Sequence, residues 1–177
     1  MSDLIRDGDL AIRWMLDSAA DYQAMAKWLT DPRVLEFYEG RDNAHPLERI
    51  KEQYSPRILR SERVVPCLLM LADAPIGYLQ YYSDVPGTFG IDQFIGEPGL
   101  WNQGIGTRAV SLLLKYLFRS EGASKVITDP RVENLRAIRC YEKCGFRKVR
   151  VLPLHEFHEG AFRDSWLMEV TAEALLP

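Results

Sequence analysis

What this chain of 177 residues lacks narrows its chemistry first. It holds no apolar run approaching the roughly 20 residues that a membrane-spanning helix needs, so no membrane partner is expected. Its first residues, MSDLIRDGDL, show neither the basic start nor the apolar stretch of a secretory leader. Cysteine is scarce: Cys67, Cys140 and Cys144 are an odd number, which argues against a disulfide framework and for free thiols in the cytoplasm. Positive charge is not in excess. Lys and Arg total 22 against 25 Asp and Glu, a net charge of -3, which removes the domain-wide basic footprint of a nucleic-acid binder. Metal-ligand patterns are also missing. Cys140 and Cys144 have no second pair and read as small packing residues, and His155 and His158 in HEFHEG are three apart with no third ligand; no metal is expected.

What is present is ordinary globular material, 47% apolar and 27% charged, and one domain over residues 1–177 is expected. LAIRWML alternates like a half-buried strand. DSAADYQAMAKWLTD follows as a helix capped by Asp17 or Ser18, and PLERIKEQYSPRILRS as a second helix that Pro56 kinks or breaks. VVPCLLMLA and PIGYLQYYSD read as a hairpin, with TFGIDQFI as a further strand. A helix over RAVSLLLKYLFRSEG stops at Gly122, SKVITDP is a short strand, and ENLRAIRCYEKCG is a helix ended by Gly145. FRKVRVLPL and DSWLMEV are closing strands joined by HEFHEGAFR. This order implies an α/β (α+β) fold with a mixed, mostly antiparallel sheet of about six or seven strands flanked by helices.

The Gly-rich connection GEPGLWNQGIGTR runs from a strand into a helix. Unpaired amides at a helix start carry partial positive charge, and glycine lets an anion approach them. A Walker A loop would place a lysine after its last glycine, but Thr107 and Arg108 follow here. A Rossmann fingerprint belongs on the first strand, and this loop comes after several. A phosphate cradle and a plain strand-to-helix turn both fit these residues.

The stretch NLRAIRCYEKCGF, residues 134–146, follows the pattern Asn-x-x-Ala-x-x-x-Tyr-x-x-x-Gly-Phe about thirty residues after GIGTR. Together the two motifs resemble the GCN5-related N-acetyltransferase (GNAT) superfamily. WLTDPRVLEFYEGRD, PIGYLQYY, IDQFIGEPGLWNQGIGTR and LPLHEFHEG extend the likeness to the aminoglycoside 6'-N-acetyltransferases, and in particular to the acetyltransferase half of the bifunctional acetyltransferase-phosphotransferase resistance enzymes. The resemblance implies acetyl-CoA as cofactor and direct transfer to a small cationic amine, the 6'-amino group of an aminoglycoside, in a ternary complex. It assigns the pyrophosphate to Gln103, Gly104, Ile105, Gly106, Thr107 and Arg108 and the pantetheine arm to the backbone of Phe94 and Ile95. Asn134 and Ala137 would also face the cofactor. Tyr141 is the implied acid for the leaving thiolate, and Asp92 the implied carboxylate for the amine, as base or as orienting charge. Trp101 departs from the family, which places Gln or Arg there.

A polycationic substrate calls for acids, and the candidates are Glu36, Asp92, Asp129, Glu156 and Glu159, with Asp42 and Asp164 behind them. Phe37 and Tyr38 would form an apolar floor under a sugar ring. Other amines (a polyamine, a peptide N-terminus, a siderophore precursor) fit the same class, and a non-catalytic acyl-CoA sensor is the reading from outside it. A monomer or a homodimer is expected.

Overall fold

The computed structural model describes residues 3–60 and 62–175. Its strands are β1 (Ile5–Asp7), β2 (Leu10–Trp14), β3 (Val65–Leu71), β4 (Ala74–Val85), β5 (Thr88–Ile95), β6 (Lys125–Thr128), β7 (Arg147–His158) and β8 (Ala161–Thr171). They form one eight-stranded sheet in the order β1-β2-β3-β4-β5-β6-β8-β7. Every neighbouring pair is antiparallel except β5 with β6. That one parallel joint follows from the connection, because α4 (Ile105–Ser120) crosses over between the two strands. The remaining helices are α1 (Ala19–Trp28), α2 (Pro32–Leu35), α3 (Leu47–Ile58), α5 (Leu135–Lys143) and α6 (Ala172–Leu175).

Alternation along the strands separates two cores. Leu10, Ile12, Cys67, Leu69 and Ile91 pack with α4 and α5 on one face. Ala11, Leu68, Met70, Tyr78 and Phe94 pack on the other with Met25 and Trp28 of α1 and Tyr54 of α3. A strand with both faces covered needs apolar residues at successive positions, which is why VPCLLML reads as a continuous run.

The sequence-based expectation differs from the structure at three places. The sheet has eight strands, because β1 adds a three-residue edge too short to show a periodicity. Pro56 does not divide its helix. α3 runs through it to Ile58, where the first residues past the missing N–H already end the helix. HEFHEGAFR is not a loop, since β7 continues to His158 and only Glu159 and Gly160 turn the hairpin, with φ of 49 and 78. The charged run hid this strand, because β7 is a mostly exposed edge with no core face to pattern it. Ser18 rather than Asp17 caps α1, accepting from the Asp21 N–H.

Gly77 is fixed by close approach of β4 and β5. A Cβ there would stand 2.4 Å from the Phe94 carbonyl oxygen, a backbone atom that cannot rotate away. Gly77→Ala is expected to destabilise the fold by about 1–3 kcal/mol, the usual cost of overpacking, and a thermal melt of the purified variant measures it.

Candidate active site

The site begins where the sheet comes apart. β5 pairs with β4 along its length, from Val85↔Thr88 to Gly77↔Ile95. With β6 it pairs only at Thr88, Phe89 and Gly90. From Ile91 to Ile95 one edge of β5 therefore faces a cleft instead of a strand. Backbone groups on such an edge demand partners, and an extended ligand arm can supply them. Trp101 already takes one, its indole N–H donating to the Ile95 carbonyl at 2.8 Å.

α4 starts at the end of this edge. Gly104 is its N-cap at φ 78, a left-handed conformation that glycine adopts without strain. A Cβ on Gly104 would meet nothing within 4 Å, so the space beside the cap is open. The first helical hydrogen bond runs from the Arg108 N–H to the Gly104 carbonyl at 3.0 Å. The amides of Ile105, Gly106 and Thr107 lie ahead of that bond, at the positive end of a 16-residue helix. A pyrophosphate fits this cradle on geometry and charge.

Side chains of α5 form the opposite wall. Asn134 caps the helix, accepting from the Ala137 N–H at 3.1 Å, so its carbonyl oxygen is committed to the fold. Ala137 and Tyr141 follow one turn apart on the same face and line the cleft, whose volume is about 460 Å³. Cys140 also lines it and accepts hydrogen bonds at 3.6 Å from Thr107 Oγ1 and Gln93 Nε2, while Cys144 is buried behind it. At the mouth, the Arg136 guanidinium lies 4.2 Å from the centroids of both Phe37 and Trp101. Burial between the rings lowers its pKa, and the cation–π contacts replace water around it.

A second cavity of about 350 Å³ adjoins the first, and Phe37, Gln93, Asn134, Ala137 and Tyr141 line both. Its charge is set by Glu39, Asp92, Asp129 and Glu156. Asp92 projects from β5, and its Oδ2 accepts from Gln80 Nε2 at 2.8 Å. Burial pushes the Asp92 carboxyl up to about 6. Gln80 opposes this, and Asp129, Glu156 and Glu39 push it further up. Asp129 follows the end of β6 and stands 2.7 Å from His155 Nε2. Glu156 is held at 2.6 Å by Arg131, which is 7% exposed and also donates to the carbonyls of Glu36 and Tyr38. Tyr141 is 5% exposed and has its pKa raised by burial. It keeps its proton at neutral pH.

Several residues named from the sequence lie elsewhere. Gln103 and Arg108 do not line either cavity. Gln103 Nε2 donates to the Gly99 carbonyl at 2.7 Å, and the Arg108 guanidinium pairs with Asp9 at 2.7 Å. Glu36 is exposed on the outer side of its turn, because Val34 and Leu35 take the inner one. Glu159 is bound by both arms of Arg41, at 2.6 and 2.7 Å, which holds its carboxyl down at about 2. Asp164 accepts from the Leu154 N–H at 2.8 Å within the β7–β8 hairpin. Tyr38 lines the acidic cavity, but its ring packs tilted against that of Phe94, with centroids 4.6 Å apart. Of the two histidines of β7, His155 lines the cavity and His158 is 7% exposed beside Glu156. Glu39, Gln80 and Arg131 were not foreseen. Glu39 lies in the same short segment as Glu36, and no local signal separated the two.

The fold and the two joined cavities define a class: an α/β protein with an anion-accepting helix start beside an acidic chamber. Residues 17–154 match the family model of the acetyltransferase (GNAT) domain. An aminoglycoside N(6')-acetyltransferase type 1 of Klebsiella pneumoniae is 33% identical over 157 residues, covering 82% of this chain and 78% of that one. The solved structure of AAC(6')-Ib in complex with ribostamycin and coenzyme A superposes with a TM-score of 0.81 at 31% identity, over 94% of this chain and 95% of the other. A spermidine N-acetyltransferase from Vibrio cholerae, solved with CoA and spermine, gives a TM-score of 0.82 at 17% identity over 95% and 98% of the two chains, a likeness of fold alone. The chain belongs to the GNAT acetyltransferase family.

Arg131 ties the 36–38 segment to Glu156 by three hydrogen bonds. Arg131→Met is expected to leave those acceptors without their donor and to cost about 1–3 kcal/mol, measured as a lower denaturant midpoint at unchanged slope.

Proposed function

We propose that this chain is an aminoglycoside 6'-N-acetyltransferase: a single acetyltransferase domain of the cytoplasm that moves the acetyl group of acetyl-CoA directly to the 6'-amino group of the drug. The observation that carries this reading is the junction. The anion-accepting cleft and the carboxylate-lined cavity share one wall, at Gln93, Ala137 and Tyr141. A donor lying in one and a polycationic amine in the other meet there. The relatives at 31% and 33% identity supply the choice of amine.

Bound acetyl-CoA supplies a thioester carbonyl as electrophile and a thiolate as leaving group. The chain's own residues do the rest. The amides of Ile105, Gly106 and Thr107 hold the pyrophosphate, and the open edge of β5 at Phe94 and Ile95 aligns the pantetheine arm. A backbone N–H on that edge would polarise the carbonyl in the manner of an oxyanion donor. Asp92, Asp129, Glu156 and Glu39 attract the ammonium groups of the substrate. Asp92 takes the proton that the attacking amine must lose. With a pKa pushed up to about 6, it is ionised at neutral pH and still basic enough to accept. Tyr141 keeps its proton and donates it to the thiolate.

A thiol-release assay with acetyl-CoA and an amine panel tests this. Kanamycin and tobramycin are expected to release CoA well above spermidine or a peptide N-terminus, and no release with either drug would end the aminoglycoside reading. Because the base must be a carboxylate, kcat/KM is expected to fall about tenfold per pH unit below about 6 and to level off above it. Asp92→Asn should lose that limb together with about 10²–10⁴ of the rate while binding CoA normally. Tyr141→Phe is expected to lower kcat more than it raises KM, measured by steady-state kinetics against kanamycin, with a smaller loss than for Asp92→Asn because water can replace a phenol as the acid.

A further inference from the structure

From Gln80, on the wall of the acidic cavity, a chain of hydrogen bonds with a fixed direction runs back behind Asp92. Gln80 sits opposite Asp92 in the β4–β5 register, and its Nε2 donates to Asp92 Oδ2 at 2.8 Å. Its Oε1 accepts twice, from the Tyr78 hydroxyl at 2.7 Å and from Arg57 Nη1 at 3.2 Å. Arg57 comes from α3 and lies 5.1 Å from the ring centroid of the fully buried Tyr54. It does not line the acidic cavity.

A primary amide has one accepting end and one donating end, and both fit the same outline. Arg57 breaks that symmetry. A guanidinium has only donors, so it can face Oε1 and not Nε2. Turned over, Gln80 would set two donors against each other at Arg57 and an amide oxygen against the Asp92 carboxylate. The hydroxyl of Tyr78 can donate or accept and imposes no choice of its own. The fixed charge on α3 thus dictates what a neutral side chain shows to Asp92.

We propose that Arg57 is a positioning residue for transfer: by holding the Gln80 amide oxygen it obliges the Gln80 N–H to face Asp92, and so keeps the Asp92 carboxylate ionised in a chamber crowded with like charge. The like charge comes from every side. Asp129 follows β6, Glu156 is on β7 and Glu39 follows α2, and all three oppose ionisation of Asp92. Tyr82 of β4, Tyr141 of α5, and Tyr38 and Tyr54 complete the titratable surroundings and stay protonated at neutral pH, since burial raises each of them. Arg131 and His155 serve Glu156 and Asp129. Among the described residues Gln80 is the one hydrogen-bond donor to Asp92, and its direction is set from α3.

The inference rests on Asp92 being the group whose ionisation limits the rate at acid pH, so the test begins with wild type and Asp92→Asn. If the acid limb of kcat/KM survives in Asp92→Asn, the reading of Asp92 fails, and the inference with it. If the limb is lost, Arg57→Met and Gln80→Leu are measured over the same pH range. Both are expected to move the limb upward by about one pH unit, while rates on the alkaline plateau change less than those at pH 6. Arg57→Lys, which restores a cationic donor, should bring the limb back toward wild type. A structural role alone would lower the melting temperature or the plateau and leave the limb where it was, and that result in folded variants overturns the proposal. Should Arg57→Met fail to fold, Arg57→Gln takes its place: a neutral amide no longer fixes which end of Gln80 it meets, so the same upward move of the limb is expected, and a limb left in place overturns the proposal.

Discussion

The separation of β5 from β6 after Gly90 is the constraint on which the rest of the molecule turns. A parallel joint of three residue pairs holds the two halves of the sheet together, and everything functional lies beyond its end. If the joint continued to Ile95, the β5 backbone would be satisfied internally and Asp92 would have β6 and its side chains as neighbours. Because the joint stops, one strand keeps a covered face, a paired edge and an open edge at once. α4 starts from the open end, and its first amides are presented on the side that β6 has vacated. The cleft is thus not carved into a finished sheet; it is the place where pairing was not completed.

An open edge in a buried sheet is a liability, and nearby side chains contain it. Trp101 closes the last carbonyl with an indole N–H and shields it with the ring, and Arg136 then stacks on that ring and on Phe37. This accounts for a tryptophan where the family pattern has a polar residue. The anion is left to backbone amides, and the side chain serves the strand. The acidic chamber is contained in a similar way. Four carboxylates line one cavity, and the protein meets this like charge with one nearly buried arginine, one histidine and one amide rather than with a matching set of cations. The chamber keeps a surplus of negative charge that a polycation can neutralise.

Much of this was readable in the chain. The span of β5 was given residue for residue by TFGIDQFI, since an apolar strand with one acid and flanking glycines has few other readings. NLRAIRCYEKCGF marked the whole of α5, because backbone geometry there demands particular residues, whereas α4 begins at Ile105, inside what read as the Gly-rich connection and ahead of the expected start at Arg108. What was not readable depended on pairing across the chain. Glu159 looked like a free acid until Arg41, far away in sequence, closed on it, and Arg108 looked like a phosphate ligand until Asp9 did the same. β1 and the far half of β7 were hidden because exposed edge strands carry no burial pattern.

Glu36 and Glu39 show how fine the missing information is. Both are acids in one aromatic-rich segment, and nothing local ranks one above the other. The four-residue α2 decides between them by burying Val34 and Leu35, which turns Glu36 to solvent. The chain then closes over Leu35, whose carbonyl accepts from the Gly40 N–H at 2.7 Å, and Glu39 faces inward. Burial raises the pKa of Glu39, so it joins Asp92 as a group whose ionisation costs free energy until a cation arrives. The selectivity of such a chamber for an amine therefore resides less in any single acid than in the packing of a few apolar residues that determine which acids are turned inward.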